Sequence, residues 1–110
     1  MTIKDFVYTD EGYEVLLQEI YSEASSNSSY NVEVSFIGDN TLVFSYKYLT
    51  QVEVTEEQIG MMYEIFKAQD DDMSETIEEI MEENNVQEFS IVYEFLNADD
   101  TTIVSYEYYK

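Results

Sequence analysis

The carboxylate is the one reactive group this chain holds in quantity. Of 110 residues, 25 are Asp or Glu and 4 are Lys; His and Cys are absent, and the formal charge is -21. A Ser or Thr nucleophile needs a base such as His or a desolvated Lys. Lys4, Lys47, Lys67 and Lys110 form no motif with a serine. Without Cys there is no thiolate nucleophile, no disulfide and no thiolate metal ligand. Carboxylate pairs cleave glycosides in some enzymes. Among 25 acids, however, close pairs arise by chance, and no Trp is present to stack a sugar. The expectation is a non-enzymatic protein with no cofactor.

Hard oxygen ligands of the kind calcium takes gather at Asp70-Asp71-Asp72 and at Asn97-Ala98-Asp99-Asp100-Thr101. Both lack the sixth-position Gly and the twelfth-position Glu of an EF-hand loop, so both read as solvated turns and no metal site is expected. The densest acidic stretch is Asp70, Asp71, Asp72, Glu75, Glu78, Glu79, Glu82 and Glu83, eight carboxylates in 14 residues. On a helix, neighbours at i, i+3 and i, i+4 lie roughly 5–6 Å apart between Cβ atoms. Glu75, Glu78, Glu79, Glu82 and Glu83 therefore make a negative ridge. A solvated helix face is the plain explanation. Yet helix C-termini favour cations, and here the acids run on through Glu82 and Glu83, which points to selection for charge itself. The eight acids are the candidate partner-binding surface.

The chain also holds 11 Tyr. Tyrosine-rich strands can serve as stacking platforms for single-stranded nucleic acid. Binding of that kind requires neutralised phosphates, which four scattered lysines among 25 acids cannot supply. The expected arrangement is core aromatics on one sheet face and a partly exposed tyrosine row on the other. Such a row suits a protein interface.

The elements that position these groups follow from periodicity. Thr9 to about Ala24 reads as a helix, with Thr9 as N-cap and Tyr13, Leu16, Leu17, Ile20 and Tyr21 on one apolar face. Ser25 to Ser29 reads as a loop. Asn31 to Ile37 and Thr41 to Leu49 alternate with period two around the turn Gly38-Asp39-Asn40, a β-hairpin. Thr55-Glu56-Glu57-Gln58 matches a capping box. The helix it opens should place Ile59, Met62, Ile65 and Phe66 inward and break at Asp70-Asp71-Asp72. A third helix is predicted from about Met73 to Asn84, with Met73, Ile77, Ile80 and Met81 inward. Phe89 to Leu96 and Thr101 to Tyr109 are strands around the turn Asn97 to Asp100.

The two hairpins are alike. Val34-Ser35-Phe36-Ile37 corresponds to Tyr93-Glu94-Phe95-Leu96, and Phe44 to Tyr48 corresponds to Val104 to Tyr108 with one extra residue in the second turn. Duplication gives such a pattern; so does convergence on good strand residues. The predicted fold is α+β in the order α-ββ-αα-ββ: residues 1–110 as a single acidic domain, with an antiparallel sheet of two similar β-hairpins and helices packed on one face. Aromatics at 15% separate the chain from acidic disordered tails. No apolar run approaches membrane-spanning length, and Met1 to Asp5 shows no signal-peptide pattern.

Four stretches carry a resemblance: Asp10-Glu11-Gly12; the strand pair around Val32-Glu33-Val34 and Asn40 to Tyr46; the helix Glu75 to Ile80; and Phe95 to Ser105. They resemble an uncharacterised domain recurring in small lipoproteins of Gram-positive bacteria, many of them gut Firmicutes. The resemblance implies an exported domain tethered by a lipidated Cys behind a signal peptide, features this sequence does not carry. It brings no catalytic residues.

Two functional expectations follow. The first is an acidic nucleic-acid mimic of the phage anti-CRISPR or anti-restriction type. It would inhibit a basic nucleic-acid-binding effector in the cytoplasm, without direct nucleic-acid binding or membrane insertion. The alternative is the extracellular domain of a Gram-positive surface lipoprotein with unknown ligand.

Overall fold

A computed structural model describes residues 2–26 and 29–110. The chain opens with a short helix, α1 (Ile3–Val7), capped by the Thr2 side chain, which accepts from the Asp5 amide. It was not foreseen from the sequence, because one helical turn shows no periodicity. Its Ile3, Phe6 and Val7 are buried in the core.

Thr9 is an N-cap, as predicted. Its hydroxyl accepts from Gly12 N at 3.0 Å and donates to Phe6 O at 2.7 Å, joining α1 to α2 (Asp10–Gly12). Gly12 is required here: a Cβ would meet Phe6 O at 1.9 Å. From α2 the chain winds through one π-helical turn, Tyr13–Leu17, into α3 (Gln18–Ser26). The wider turn rotates the apolar face. Leu16 and Leu17 remain buried and Ile20 half-buried. Tyr13 and Tyr21, predicted inward, lie outside and stack on each other at 6.3 Å. Ser25 and Ser26 continue the helix rather than forming the predicted loop; of the rest of that loop, Asn27 and Ser28 lie outside the described residues and Ser29 is a bend.

Both predicted hairpins form. β1 (Tyr30–Ile37) pairs antiparallel with β2 (Thr41–Tyr48) through Val34↔Phe44. Gly38 takes φ 66 in the turn, a conformation glycine adopts without a Cβ penalty. β3 (Ser90–Leu96) pairs antiparallel with β4 (Thr102–Tyr109). The equivalence of the hairpins holds for face but not for register. Val34 pairs with Phe44, whereas Tyr93 pairs with Tyr106 rather than with Val104. The offset is two residues: one arises in the longer turn, where Leu96 pairs with Thr102, and one from the irregularity at Phe95/Leu96.

The sheet is mixed, not fully antiparallel. Strand order is β1-β2-β3-β4, and the inner pair β2 and β3 runs parallel, with Phe44↔Tyr93 and Tyr46↔Phe95. The two helices between β2 and β3 form a crossover that returns the chain to the end where β2 began, and a crossover makes neighbouring strands parallel. α4 (Glu56–Ala68) starts at the predicted capping box, with both reciprocal Thr55 and Gln58 bonds made. It ends at Gln69. The three aspartates do not interrupt a helix. They form the first turn of α5 (Asp70–Glu83), where the positive end of the helix dipole favours them.

The helices lie on one face of the sheet, as predicted. That face carries Leu42, Phe44, Tyr46, Ile91 and Tyr108, which form one core with Leu16 and Leu17, Ile77 and Ile80 from the helices, and Val104, also buried. The opposite face is polar and exposed along its outer strands, at Asn31, Glu33 and Ser35 on β1 and Ser105 and Glu107 on β4, while Val43 and Ser45 on β2 are buried at its middle. The predicted tyrosine row on that side is absent. Tyr30, Tyr46, Tyr93, Tyr106 and Tyr108 share the helix-side parity, leaving Tyr109 at the rim.

Candidate functional site

The acidic stretch folds into α5, held by Ile77 (0% exposed) and Ile80 (5%). Burial of these two fixes the rotation of the helix, so Asp71, Asp72, Glu75, Glu79, Glu82 and Glu83 face solvent. The remaining two acids of the ridge are engaged. Asp70 is half-buried, and its two carboxylate oxygens lie 2.6 and 2.7 Å from the Tyr106 hydroxyl, which donates to them. That bond, ahead of burial, pushes the Tyr106 hydroxyl well above its ordinary range. Glu78 faces Lys110 Nζ at 3.8 Å. Exposed pairs of this kind contribute about 0–1 kcal/mol.

The second oxygen-rich segment is a stitched turn. Buried Asn97 donates from Nδ2 to Val52 O at 2.7 Å and accepts from Val52 N at 2.9 Å. Asp99 accepts from the Thr101 hydroxyl at 2.6 Å and from the Thr101 amide at 3.1 Å, which together lower its pKa. Asp100 pairs with Lys47 Nζ at 2.7 Å. Among the described residues, no group of three or more acidic side chains is placed to hold a metal ion. Among the described residues, no helix is long and apolar enough to cross a membrane.

A second site was not foreseen. Between α3 and α4 a cleft of about 420 Å³ opens onto the sheet, floored by Tyr46, Tyr93 and Tyr108, with Glu19 and Glu23 at its rim. The rings interlock: Tyr46 and Tyr93 stack at 6.3 Å, Tyr93 meets Tyr108 edge-on at 5.8 Å, and Phe66 lies 6.1 Å from Tyr93. Burial first, then Tyr108, Glu23 and Glu19, push the Tyr93 hydroxyl up to about 12. Burial, then Tyr93 and Glu23, raise Tyr46 further. The signal was present in the sequence as same-parity tyrosines on three strands and as Glu19, Ile20 and Glu23 on one helical face. Without strand order, nothing brought these positions together.

Alongside, α4 turns apolar side chains outward: Met61, Tyr63 and Ile65 are exposed. Ile65 was predicted inward. In all, the molecule is a one-sided α+β domain with a mixed four-stranded sheet, an acidic outer helix and a tyrosine-floored cleft. The chain belongs to the family described as a domain of unknown function, DUF4854, whose model matches residues 3–108. No curated protein and no solved structure matches it.

Proposed function

We propose that the protein is a non-enzymatic binding protein that sets the outer face of α5 against a basic protein surface, as a nucleic-acid mimic that inhibits a nucleic-acid-binding effector. One observation carries this reading, the linear charge density of α5. Its 14 residues span about 21 Å at ~1.5 Å each. The six outward carboxylates Asp71, Asp72, Glu75, Glu79, Glu82 and Glu83 then give roughly one charge per 3.5 Å. A DNA strand carries about one per 3.4 Å of axis. The match makes the helix a fitting occupant for a Lys/Arg-lined phosphate groove. Association is fast and salt-dependent in this reading, and it takes place in the cytoplasm.

The test is binding to a panel of basic nucleic-acid-binding proteins across a salt series. Changing Glu75, Glu79, Glu82 and Glu83 together to Gln should weaken any complex at least about tenfold, roughly 1.4 kcal/mol. Absence of binding to every panel member at low salt, or unchanged affinity in the Gln variant, defeats the reading.

A second reading is a tethered domain at the cell surface of a Gram-positive bacterium. It rests on the resemblance of four stretches of the sequence, Asp10 to Gly12, the strand pair around Val32 to Val34 and Asn40 to Tyr46, Glu75 to Ile80 and Phe95 to Ser105, to the domain of small lipoproteins. A lipidated cysteine behind a leader in the encoding gene, together with fatty-acid labelling of the cellular protein, decides for it; absence of both decides against it.

A further inference from the structure

We propose that the apolar groove between α4 and the segment joining β2 to α4 is a docking site for a basic amphipathic helix of a partner protein. The site is separate from the outer face of α5.

The groove encloses about 400 Å³. One wall is the connection from β2 to α4. Burial alternates along it as in an extended chain: Val52 and Val54 are half-buried and line the groove, while Gln51, Glu53 and Thr55 are exposed. This wall is fixed in place. The Asn97 side chain holds both backbone groups of Val52, Gln51 bonds with Asp99 at 3.3 and 3.1 Å, and Thr55 closes the capping box. The other wall is α4, which brings Met61, Met62 and Ile65 to the groove. Met61 is 62% exposed and Ile65 61%. Ile103 of β4 completes the apolar lining. Large apolar side chains gathered on a concave surface mark an interaction site. Methionine is flexible and polarisable, so it packs against differing shapes. A fixed wall opposite an adaptable one suits apolar side chains inserted from outside.

Charge selects the occupant. Glu53 lines the groove. Glu57 and Glu64 are exposed one helical turn before and after Met61, on the same side of α4. Among the described residues, no lysine lines the groove. An apolar floor within a rim of carboxylates complements apolar anchors flanked by Lys or Arg. A second copy of the chain brings a further charge of -21, and an anionic membrane is repelled in the same way. A neutral apolar surface covers the rim without supplying a counter-charge, which is costly.

The backbone selects the conformation. A partner strand added to the fixed wall needs free N–H and C=O groups along it. Those of Val52 are taken by Asn97, the Thr55 amide by Gln58 and the Thr55 carbonyl by the Ile59 amide. Recognition therefore runs through side chains. A helix satisfies its own backbone and presents anchors at i, i+3, i+4 and i+7 to a groove of this kind.

The probe is a synthetic helical peptide of about 18 residues, roughly five turns, with a leucine face, a lysine face and a single Trp among the leucines. The protein has no Trp, so a blue shift of the peptide emission reports docking without background. At physiological salt, saturable binding is expected, with shifts of the Met61, Met62, Ile65 and Ile103 methyl resonances. A peptide of the same composition, scrambled to lose both faces, should bind at least about tenfold more weakly. Met61→Ser with Ile65→Ser should also weaken binding at least about tenfold, because two apolar contacts are lost. Glu53→Gln, Glu57→Gln and Glu64→Gln together should weaken it about tenfold and flatten its salt dependence. Glu75→Gln, Glu79→Gln and Glu82→Gln on α5 remove equal charge and should leave affinity within about threefold. The assignment is overturned if the scrambled peptide binds as tightly, if the α5 variant loses as much as the rim variant, or if the methyl shifts fall elsewhere. It is overturned equally by self-association, or by capture on phosphatidylcholine vesicles, that the Met61/Ile65 variant abolishes, since a second copy or a lipid surface is then the occupant. The Gln variants conserve shape, so a Met61/Ile65 variant that fails to fold leaves the test intact.

Discussion

α4 and α5 belong to one crossover between β2 and β3, and they are held to the sheet by different means. α5 buries Ile77 and Ile80 and turns its acids outward. α4 has no buried residue; its main anchor is the half-buried Phe66 ring, stacked on Tyr106 at 5.7 Å, with the Tyr108 hydroxyl bonded to Phe66 O. Ile59 and Met62 are half-buried as well, while Met61, Tyr63 and Ile65 are exposed. Charge is thus presented on a firmly seated helix, while a lightly seated helix walls the tyrosine cleft. A rigid element suits a surface that must match a partner's charges. An element with few buried contacts opens locally at low cost.

The largest expected effect reaches both helices through their tyrosine ties. The Asp70 bond raises the Tyr106 pKa, and burial pushes Tyr108 and Tyr93 each up to about 12 from the ordinary 10. A hydroxyl whose pKa is raised by folding stabilises fully below the unfolded value. That stability is lost as pH climbs through the folded one. The domain should therefore hold to about pH 10 and unfold between about pH 10 and 12. In an absorbance titration, ionisation of the buried tyrosines should coincide with loss of circular dichroism. Tyrosinate formation completed well before unfolding would show that the ties are weaker than their geometry indicates.

Next in size is the contrast between anchors. Ile77→Ala removes a fully enclosed side chain and should cost about 2–5 kcal/mol of global stability. Phe66→Ala should cost less, about 1–2 kcal/mol, because the ring is only half-buried. Its signature is local: amides of α4 lose protection against hydrogen exchange while those of α5 keep it. Equal loss across both helices in the Phe66 variant would make the crossover a single cooperative unit.

Thr55→Ala removes one side of the capping box at the start of α4. The expected loss is about 1 kcal/mol, visible as faster exchange in the first turn. Urea denaturation alongside exchange separates a frayed turn from a weakened domain.

How far the sequence reached can be traced on these same helices. The capping box at Thr55, the cap at Thr9 and both hairpins were legible because each depends on residues close in the chain. The face of α5 was legible because Ile77 and Ile80 recur with helical spacing. What escaped depends on distant partners. The parallel β2·β3 pairing follows from where the crossover delivers the chain, and no local pattern encodes it. Outward Ile65 follows from which side of α4 is turned to the sheet, the side of the half-buried Ile59, Met62 and Phe66, and that is set by partners distant in the chain. Outward Tyr13 and Tyr21 follow from one π-helical turn, which changes phase without changing composition. The cleft escaped for the same reason as the sheet, since it joins α3, α4 and three strands.

The smallest effect tests whether α5 carries charge at the expense of stability. Glu75, Glu79, Glu82 and Glu83 are exposed, and like-charge neighbours at i, i+4 destabilise a helix by about 0.2–0.5 kcal/mol per pair. Two such pairs, Glu75 with Glu79 and Glu79 with Glu83, lie on one line, and acids in the last turn also oppose the helix dipole. Changing all four to Gln should therefore raise stability by about 0.5–1 kcal/mol in low salt. Exposed charges are screened at high ionic strength, so the gain should shrink as salt is added, and the wild-type protein should itself become more stable with salt. Melting curves of both proteins across a salt series measure this. The outcome separates two origins of the acidic face. A gain that vanishes with salt marks four carboxylates that the fold holds against their mutual repulsion and can supply to a cationic partner. A loss of stability on substitution would mean that the carboxylates contribute to the fold through contacts of their own. α5 would then resemble α4 in being shaped by its local environment, and its charge density would lose its value as a sign of the partner.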